Sequence, residues 1–227
     1  MEIGGFQKTS LIDFPGMVSA VVFTRGCRFR CPYCHNPQLV APSRYAELIP
    51  EDQVLRHLER RQGKLQAVVV SGGEPTEQDG LIRFLERLKL VGYPVKLDTN
   101  GIHPGIVEEA MTRHLIQYIA MDVKAPLARY QEVVRVPVDT QSIERSVSLI
   151  LASKLPHEFR TTWDRSLLAP EDLMEIARWL EGCGAWYIQN YRAGDNLESG
   201  TGRPASPPEI VSLRILLGSR RVPWRIR

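Results

Sequence analysis

The chain reads as an α/β protein, a partial (β/α)6 barrel preceded by a short N-terminal extension, and two observations predict it. Short apolar runs alternate with segments of helical periodicity. Several of the runs are almost continuously apolar, as strands covered on both faces of a parallel sheet must be. A flat doubly wound sheet is the competing arrangement of the same elements.

Taken in order, residues 1–16 do not fit the repeat and read as an extension or hairpin. The first core strand is expected over Val18–Thr24. Ala67–Ser71, Val95–Asp98, Tyr118–Val123, His157–Trp163, Trp186–Tyr191 and a short Pro223–Ile226 follow. Helices fall between them. Glu51–Arg61 starts after Pro50, and Gly80–Leu90 carries Leu81, Phe84, Leu85 and Leu88 at helical spacing. Pro104–Leu115 comes next, then Thr140–Ala152 with Asp139 or Thr140 as its cap. Pro170–Glu181 opens in the Pro-first manner after Ala169, and Pro207–Leu217 completes the set. Strand–helix alternation builds right-handed βαβ units, which close into an open or partial barrel when the sheet curves. The loop Asp195–Pro208 is rich in Gly, Pro and Ser and is expected to be mobile. No linker or repeat interrupts the pattern, so one domain over residues 1–227 is expected, with the barrel over 17–227.

With 43% apolar and 24% charged residues, 227 residues suffice for one sizeable core. The net charge of +3 is too small to suggest nucleic acid as a partner. Basic residues are scattered, apart from Arg220, Arg221, Arg225 and Arg227 near the end. No apolar run is long enough to span a membrane, and Met1–Ser10 lacks the pattern of a secretory signal. A cytoplasmic protein is expected.

Of four cysteines, Cys27, Cys31 and Cys34 crowd together in a Cys-x3-Cys-x2-Cys spacing, directly after the first core strand. Loops at the C-terminal ends of strands are where α/β active sites sit. Clustered thiols in a chain of this size suggest a metal rather than a disulfide framework. Three thiolates suit a four-iron cluster with one iron left open, whereas electron-carrying clusters normally have four cysteines. An open position implies ligand chemistry, by the logic that separates catalytic from structural zinc. Zinc held by these thiols and His35 is the other metal reading. It is the poorer one, because His35 adjoins Cys34 and adjacent residues rarely reach one tetrahedral ion together. Cys183 reads as a small buried residue. His57, His103, His114 and His157 read as ordinary surface or core histidines.

The cysteine spacing, with Tyr33 before the third thiol, resembles the signature of the radical S-adenosylmethionine enzymes. Ser71-Gly72-Gly73-Glu74-Pro75 resembles that superfamily's Gly-Gly-Glu-Pro motif, where glycines let backbone approach a ligand closely. Leu97-Asp98-Thr99-Asn100-Gly101 and Met121-Asp122-Val123-Lys124 are similar to stretches of the pyruvate formate-lyase activating enzymes. Cys34-His35-Asn36-Pro37 and the opening Gly5–Gly16 resemble the longer anaerobic ribonucleoside-triphosphate reductase activating proteins. The resemblance runs from Gly4 to about Trp163 and fades beyond, apart from Trp186–Tyr191.

The resemblance implies the radical SAM type of barrel and a [4Fe-4S] cluster on Cys27, Cys31 and Cys34. It places Tyr33 near the adenine of S-adenosylmethionine, and Gly72, Gly73 and Glu74 at the cofactor's amino group. Lys124 would meet its carboxylate, with Arg160 a weaker candidate for the same role. Asp98, Thr99 and Asp122 would sit among cofactor contacts and a monovalent cation. Asp122 and Lys124 also read as a plain ion pair, since alternate strand residues share a face. The implied activity is reductive cleavage of S-adenosylmethionine to a 5′-deoxyadenosyl radical, which generates a glycyl radical on a partner enzyme. Anaerobic ribonucleoside-triphosphate reductase is the expected partner, with flavodoxin or ferredoxin as electron donor. No protein acid or base is required, so no catalytic side chain is named. The alternatives are a radical S-adenosylmethionine enzyme acting on a small molecule in cofactor or modified-base synthesis, and a zinc-binding module without catalysis. Gln189, Asn190 and Tyr191 occupy the strand where the formate-lyase activating enzymes carry an adenine-contacting histidine.

Overall fold

The computed structural model describes residues 1–198, 200–218 and 222–227; Arg220 and Arg221 of the basic tail lie outside them. The strands are β1 (Ile3–Phe14), β2 (Met17–Thr24), β3 (Ala67–Gly72), β4 (Val95–Thr99), β5 (Tyr118–Asp122), β6 (His157–Trp163), β7 (Trp186–Asn190) and β8 (Trp224–Ile226). The helices are α1 (Pro37–Val40), α2 (Glu51–Arg60), α3 (Leu81–Val91), α4 (Pro104–Thr112), α5 (Tyr130–Val134), α6 (Thr140–Ala152), α7 (Pro170–Trp179) and α8 (Pro207–Leu217). The N-terminal extension is itself a strand, joined antiparallel to β2 as a hairpin on the same sheet.

All strands form one sheet in the order β1 to β8, and every pair after the hairpin is parallel. A doubly wound sheet reverses direction at a switch point; this one never does. Crossovers of one hand then place the helices on one side of the sheet, and the other side is left to curl around a lumen. The sheet stays open, with β1 and β8 at its two edges.

Alternation along each strand separates the two sides. Val68, Val70, Leu97, Ile119 and Met121 face the helices and join Phe84, Leu85, Leu88, Val107 and Ile143 in the main core. Each such side chain contributes about 1.5–3 kcal/mol on burial. On the lumen side Phe14, Val21, Ala67 and Val69 make a second, small apolar cluster. Burial on both sides explains why β2 and β3 read as unbroken apolar runs. Helix ends match their sequence signals: Asp139 accepts from the Gln141 N–H at 3.0 Å, and Pro170 opens α7 with Asp172 accepting from the Ala169 N–H at 2.7 Å. Helix α4 stops at Thr112, earlier than the periodicity suggests, because the chain turns at His114 with a φ of 52°.

From β4 onward the lumen side turns polar. Lys96, Asp98, Asp122, Glu158 and Arg160 come together there from three strands. Described residues of the Asp195–Pro208 loop are tied to the cysteine loop: Leu197 N–H donates to the Cys34 carbonyl at 3.1 Å and Glu198 N–H to the Pro32 carbonyl at 3.0 Å. The Asn196 side chain is fully buried and donates to the Tyr191 hydroxyl at 2.9 Å.

Candidate functional site

The loop after β2 is shaped by its own residues. The Arg30 guanidinium donates to the carbonyls of Cys27, Arg28 and Phe29, and the Arg30 N–H is tied to Val134 at 2.9 Å. This folds the loop so that Cys27, Cys31 and Cys34 line one pocket with Tyr33, His35 and Asn36. Cys183 is buried elsewhere, after α7, and does not line that pocket.

The two glycines of β3's end serve the approach of two loops. A Cβ on Gly72, whose φ is +125°, would lie 2.2 Å from the Thr24 nitrogen, and one on Gly73 would lie 2.0 Å from the Gly26 carbonyl oxygen. In return, Gly73 N–H donates to Thr24 and Glu74 N–H to Gly26, each at 2.8 Å. Any other residue at 72 or 73 would push the third strand's loop off the cysteine loop.

Glu74 lines the pocket, and its side chain is fully engaged by neighbouring donors. Its carboxylate is 1% exposed and accepts from Thr76 N–H at 3.0 Å, the Thr76 hydroxyl, the Thr99 hydroxyl at 2.7 Å and Asn100 N–H at 2.7 Å. Burial raises its carboxyl to about 6 against these donors, so it is ionised at neutral pH. It braces the β3 loop to the β4 loop. Thr99 borders the pocket, but its hydroxyl is committed to Glu74.

Below the thiols runs an alternating chain of charges: Glu158, Lys96, Asp98, Arg160, Asp122, Lys124. Lys96 Nζ lies 3.8 Å from Glu158 and 3.1 Å from Asp98. The Arg160 guanidinium bridges Asp98 at 3.1 Å and Asp122 at 2.8 Å, and Lys124 Nζ meets Asp122 at 3.0 Å. Burial alone would raise Asp122, yet Arg160 and Lys124 outweigh it and hold the carboxyl well below the usual range. Asp98 and Asp122 therefore share a tethered guanidinium, while the Thr99 hydroxyl donates to Glu74. Asp98 and Asp122 thus belong to an ion-paired ladder.

The thiols fit a cluster better than a single ion. Among the described residues no three His, Cys, Asp or Glu side chains converge tightly enough to hold one ion. A four-iron cube is larger than an ion and needs its ligands spread around a chamber. Burial raises the Cys31 thiol to about 11, and burial followed by Glu74's charge raises Cys27, so metal must displace their protons. The buried Tyr33 hydroxyl has no hydrogen-bond partner among the described residues, and Lys124 Nζ lies 6.0 Å from its ring. A buried hydroxyl without a partner, on a residue that lines the pocket, is a group suited to a ligand.

The pocket also gathers residues the motifs did not single out: Ser71, Thr162 and Asn100. Gln189 lines it from β7, whereas Asn190 is turned to Ala205 and Tyr191 is buried against Asn196. Ser71 and Gln189 follow from the period of two once Asp98 and Asp122 define the lumen side.

Against known proteins, residues 21–181 match the family model of the Radical SAM superfamily, and the chain belongs to that superfamily. Its members use a [4Fe-4S] cluster and S-adenosylmethionine. A protein of Methanocaldococcus jannaschii, whose name provisionally places it among the glycyl-radical enzyme activating enzymes, is 33% identical over 198 residues, covering 85% of this chain and 81% of the relative. That likeness sets the chain, within the superfamily, in the family of glycyl-radical enzyme activating enzymes. The pyruvate formate-lyase-activating enzyme of Clostridium pasteurianum is 34% identical over 130 residues, 54% of this chain and 52% of that enzyme. The chain thus spans about half the clostridial enzyme's length. Among solved structures, Streptococcus suis SuiB bound to S-adenosylmethionine superposes with a TM-score of 0.67 over 88% of this chain and 48% of SuiB, at 14% identity. The last likeness is one of fold. No helix among the described residues is long and apolar enough to cross a membrane.

Proposed function

We propose that the chain activates a glycyl-radical enzyme, with anaerobic ribonucleoside-triphosphate reductase as its partner, drawing its electron from a flavodoxin or ferredoxin. The observation that carries the reading is the convergence of three thiols, and no fourth, with Lys124 and the Gly72–Glu74 backbone on one pocket. The partner is chosen on the opening Gly5–Gly16 and on Cys34-His35-Asn36-Pro37.

Cys27, Cys31 and Cys34 would hold the cluster. The backbone of Gly72, Gly73 and Glu74 would accept from the cofactor's ammonium group. Lys124, moving from Asp122, would meet its carboxylate as a point charge. Arg160 would stay with Asp98 and Asp122 and hold the floor beneath the cofactor. Tyr33 would offer its ring to the adenine and its hydroxyl to a polar edge. When bound, the cluster and cofactor supply one electron and a 5′-deoxyadenosyl radical able to take hydrogen from a glycine. The protein's part is to orient the cofactor and exclude water. The open sheet leaves a lateral entrance between β1 and β8 for a glycine-bearing loop.

The test is anaerobic reconstitution with iron, sulfide, reductant, cofactor and the reductase. The expected result is 5′-deoxyadenosine together with a glycine-centred paramagnetic signal on the partner. Formation of 5′-deoxyadenosine only with a small molecule, and no protein radical, would overturn the reading.

A further inference from the structure

We propose that Asn100 is a positioning residue for the cluster: its side-chain amide donates to the Cys27 sulfur and makes the cluster easier to reduce. The inference rests on Cys27 being a cluster ligand. Asn100 is 5% exposed, and its backbone N–H and both polar atoms of its side chain have partners. Its backbone N–H donates to Glu74 Oε2 at 2.7 Å. Its Oδ1 accepts from the Ile102 N–H at 3.0 Å, closing the turn. That bond fixes which end of the amide is oxygen. The Nδ2 end therefore faces the Cys27 sulfur, 3.8 Å away.

The loop holds the amide there. Gly101 N–H donates to the Thr99 hydroxyl at 3.0 Å, and the Gly101 carbonyl accepts from the Ser146 hydroxyl at 2.6 Å. Gly101 takes a φ of +80°, a conformation that residues other than glycine rarely adopt, which fixes the course of the turn. A turn of this kind is equally well served by Asp or Ser. Only an amide both accepts from Ile102 and donates to sulfur, so the turn alone does not account for Asn at this position.

The placement has an electrostatic purpose. Glu74 is a buried anion close to Cys27, and its charge opposes further negative charge on the sulfur. Asn100 stands between them, with its backbone on Glu74 and its amide on Cys27. Hydrogen bonds to cluster sulfurs are among the factors that set reduction potential. An N–H aimed at a thiolate favours the electron-rich state and offsets the neighbouring carboxylate. One electron enters from the external donor, and no covalent bond forms or breaks in this step.

The experiment compares wild type, Asn100→Ser, Asn100→Asp and Thr76→Val after anaerobic reconstitution, by iron content and by potential-poised paramagnetic titration. Ser keeps an oxygen for Ile102 but is too short to reach sulfur. Its reduced-to-oxidised ratio at a fixed poise should fall about threefold, a shift of roughly 28 mV to more negative potential at 59 mV per decade. Asn100→Asp keeps the turn, removes the donor and should shift further in the same direction. Thr76→Val removes one hydroxyl from Glu74 and should lower the Tm without moving the potential. Full iron content with an unmoved potential in both Asn100 variants would overturn the inference, as would an equal shift in Thr76→Val. Wild-type protein that takes up no iron would instead overturn the assignment of the cysteines, and the inference with it.

Discussion

At the lower end of the barrel's interior Lys96 is shared by Asp98 and Glu158, donates to the Asp13 carbonyl at 2.7 Å, and Glu158 accepts from the Tyr118 hydroxyl at 3.1 Å. At the upper end the Tyr33 hydroxyl has no partner among the described residues, and three thiols share a wall with no disulfide between them. Both ends are buried and polar. One is held together by ion pairs within the protein, and the other presents, among the described residues, a buried hydroxyl without a protein partner and thiols free of disulfides. Burial of a polar group thus says little about function until its partners are counted.

The contrast can be broken from either side. The largest effect is expected at the upper end: Cys31→Ala should abolish cluster assembly and cofactor cleavage while the apoprotein's circular dichroism stays native. Retained cleavage in that variant would remove the thiols from the chemistry. At the lower end, Lys96→Met leaves buried Glu158 without its cation and Asp98 with Arg160 alone, and should cost about 3–5 kcal/mol in denaturant unfolding of the apoprotein. A loss under about 1 kcal/mol would mean that water reaches the floor and the ladder is not a closed network.

Lys124 joins the two regimes, and its removal should show both characters. Lys124→Ala should weaken S-adenosylmethionine binding at least tenfold by calorimetry, the scale of a hydrogen bond to a charged group, with iron content unchanged. Unchanged affinity would confine Lys124 to its pairing with Asp122. The smallest effect sharpens the comparison best. Tyr130 is also fully buried, but its hydroxyl accepts from Lys124 N–H at 3.2 Å. Tyr130→Phe should therefore destabilise the apoprotein by about 1 kcal/mol, while Tyr33→Phe should leave it unchanged or slightly more stable. Equal losses in the two variants would mean that Tyr33 has a partner after all.

The strands, their order of appearance and most helix starts were legible, because continuous apolar runs, Pro170 and Asp139 act locally. The cysteine loop, Gly72-Gly73, Asp122 and Lys124 were legible as motifs. What Glu74 does was not. Its side chain accepts from Thr99 and Asn100, about 25 residues onward, and so braces two loops that the motif alone does not connect. The ladder was equally hidden: Lys96, Glu158 and Arg160 become neighbours only through the pairing of β4 with β5 and of β5 with β6. The loop Asp195–Pro208 looks free by composition, and its Leu197 and Glu198 are held by backbone hydrogen bonds, which any sequence can make and none advertises. Asn100 was legible only as part of the Leu97–Gly101 stretch, and its contact with sulfur appears only when Cys27 is brought beside it.

The unbroken march of strands from β2 to β8 has a consequence for how such a chain can change. Each successive spoke of the wheel delivers its own group to the hub: Cys27 after the first, Ser71, Asp98, Asp122, Arg160 and Gln189 along the next five. No single crevice has to be rebuilt to admit a new guest. A replacement at the tip of one spoke, with the hydrophobic outer tyre untouched, would redirect what the hub accepts, and variants of this kind can be sought one position at a time.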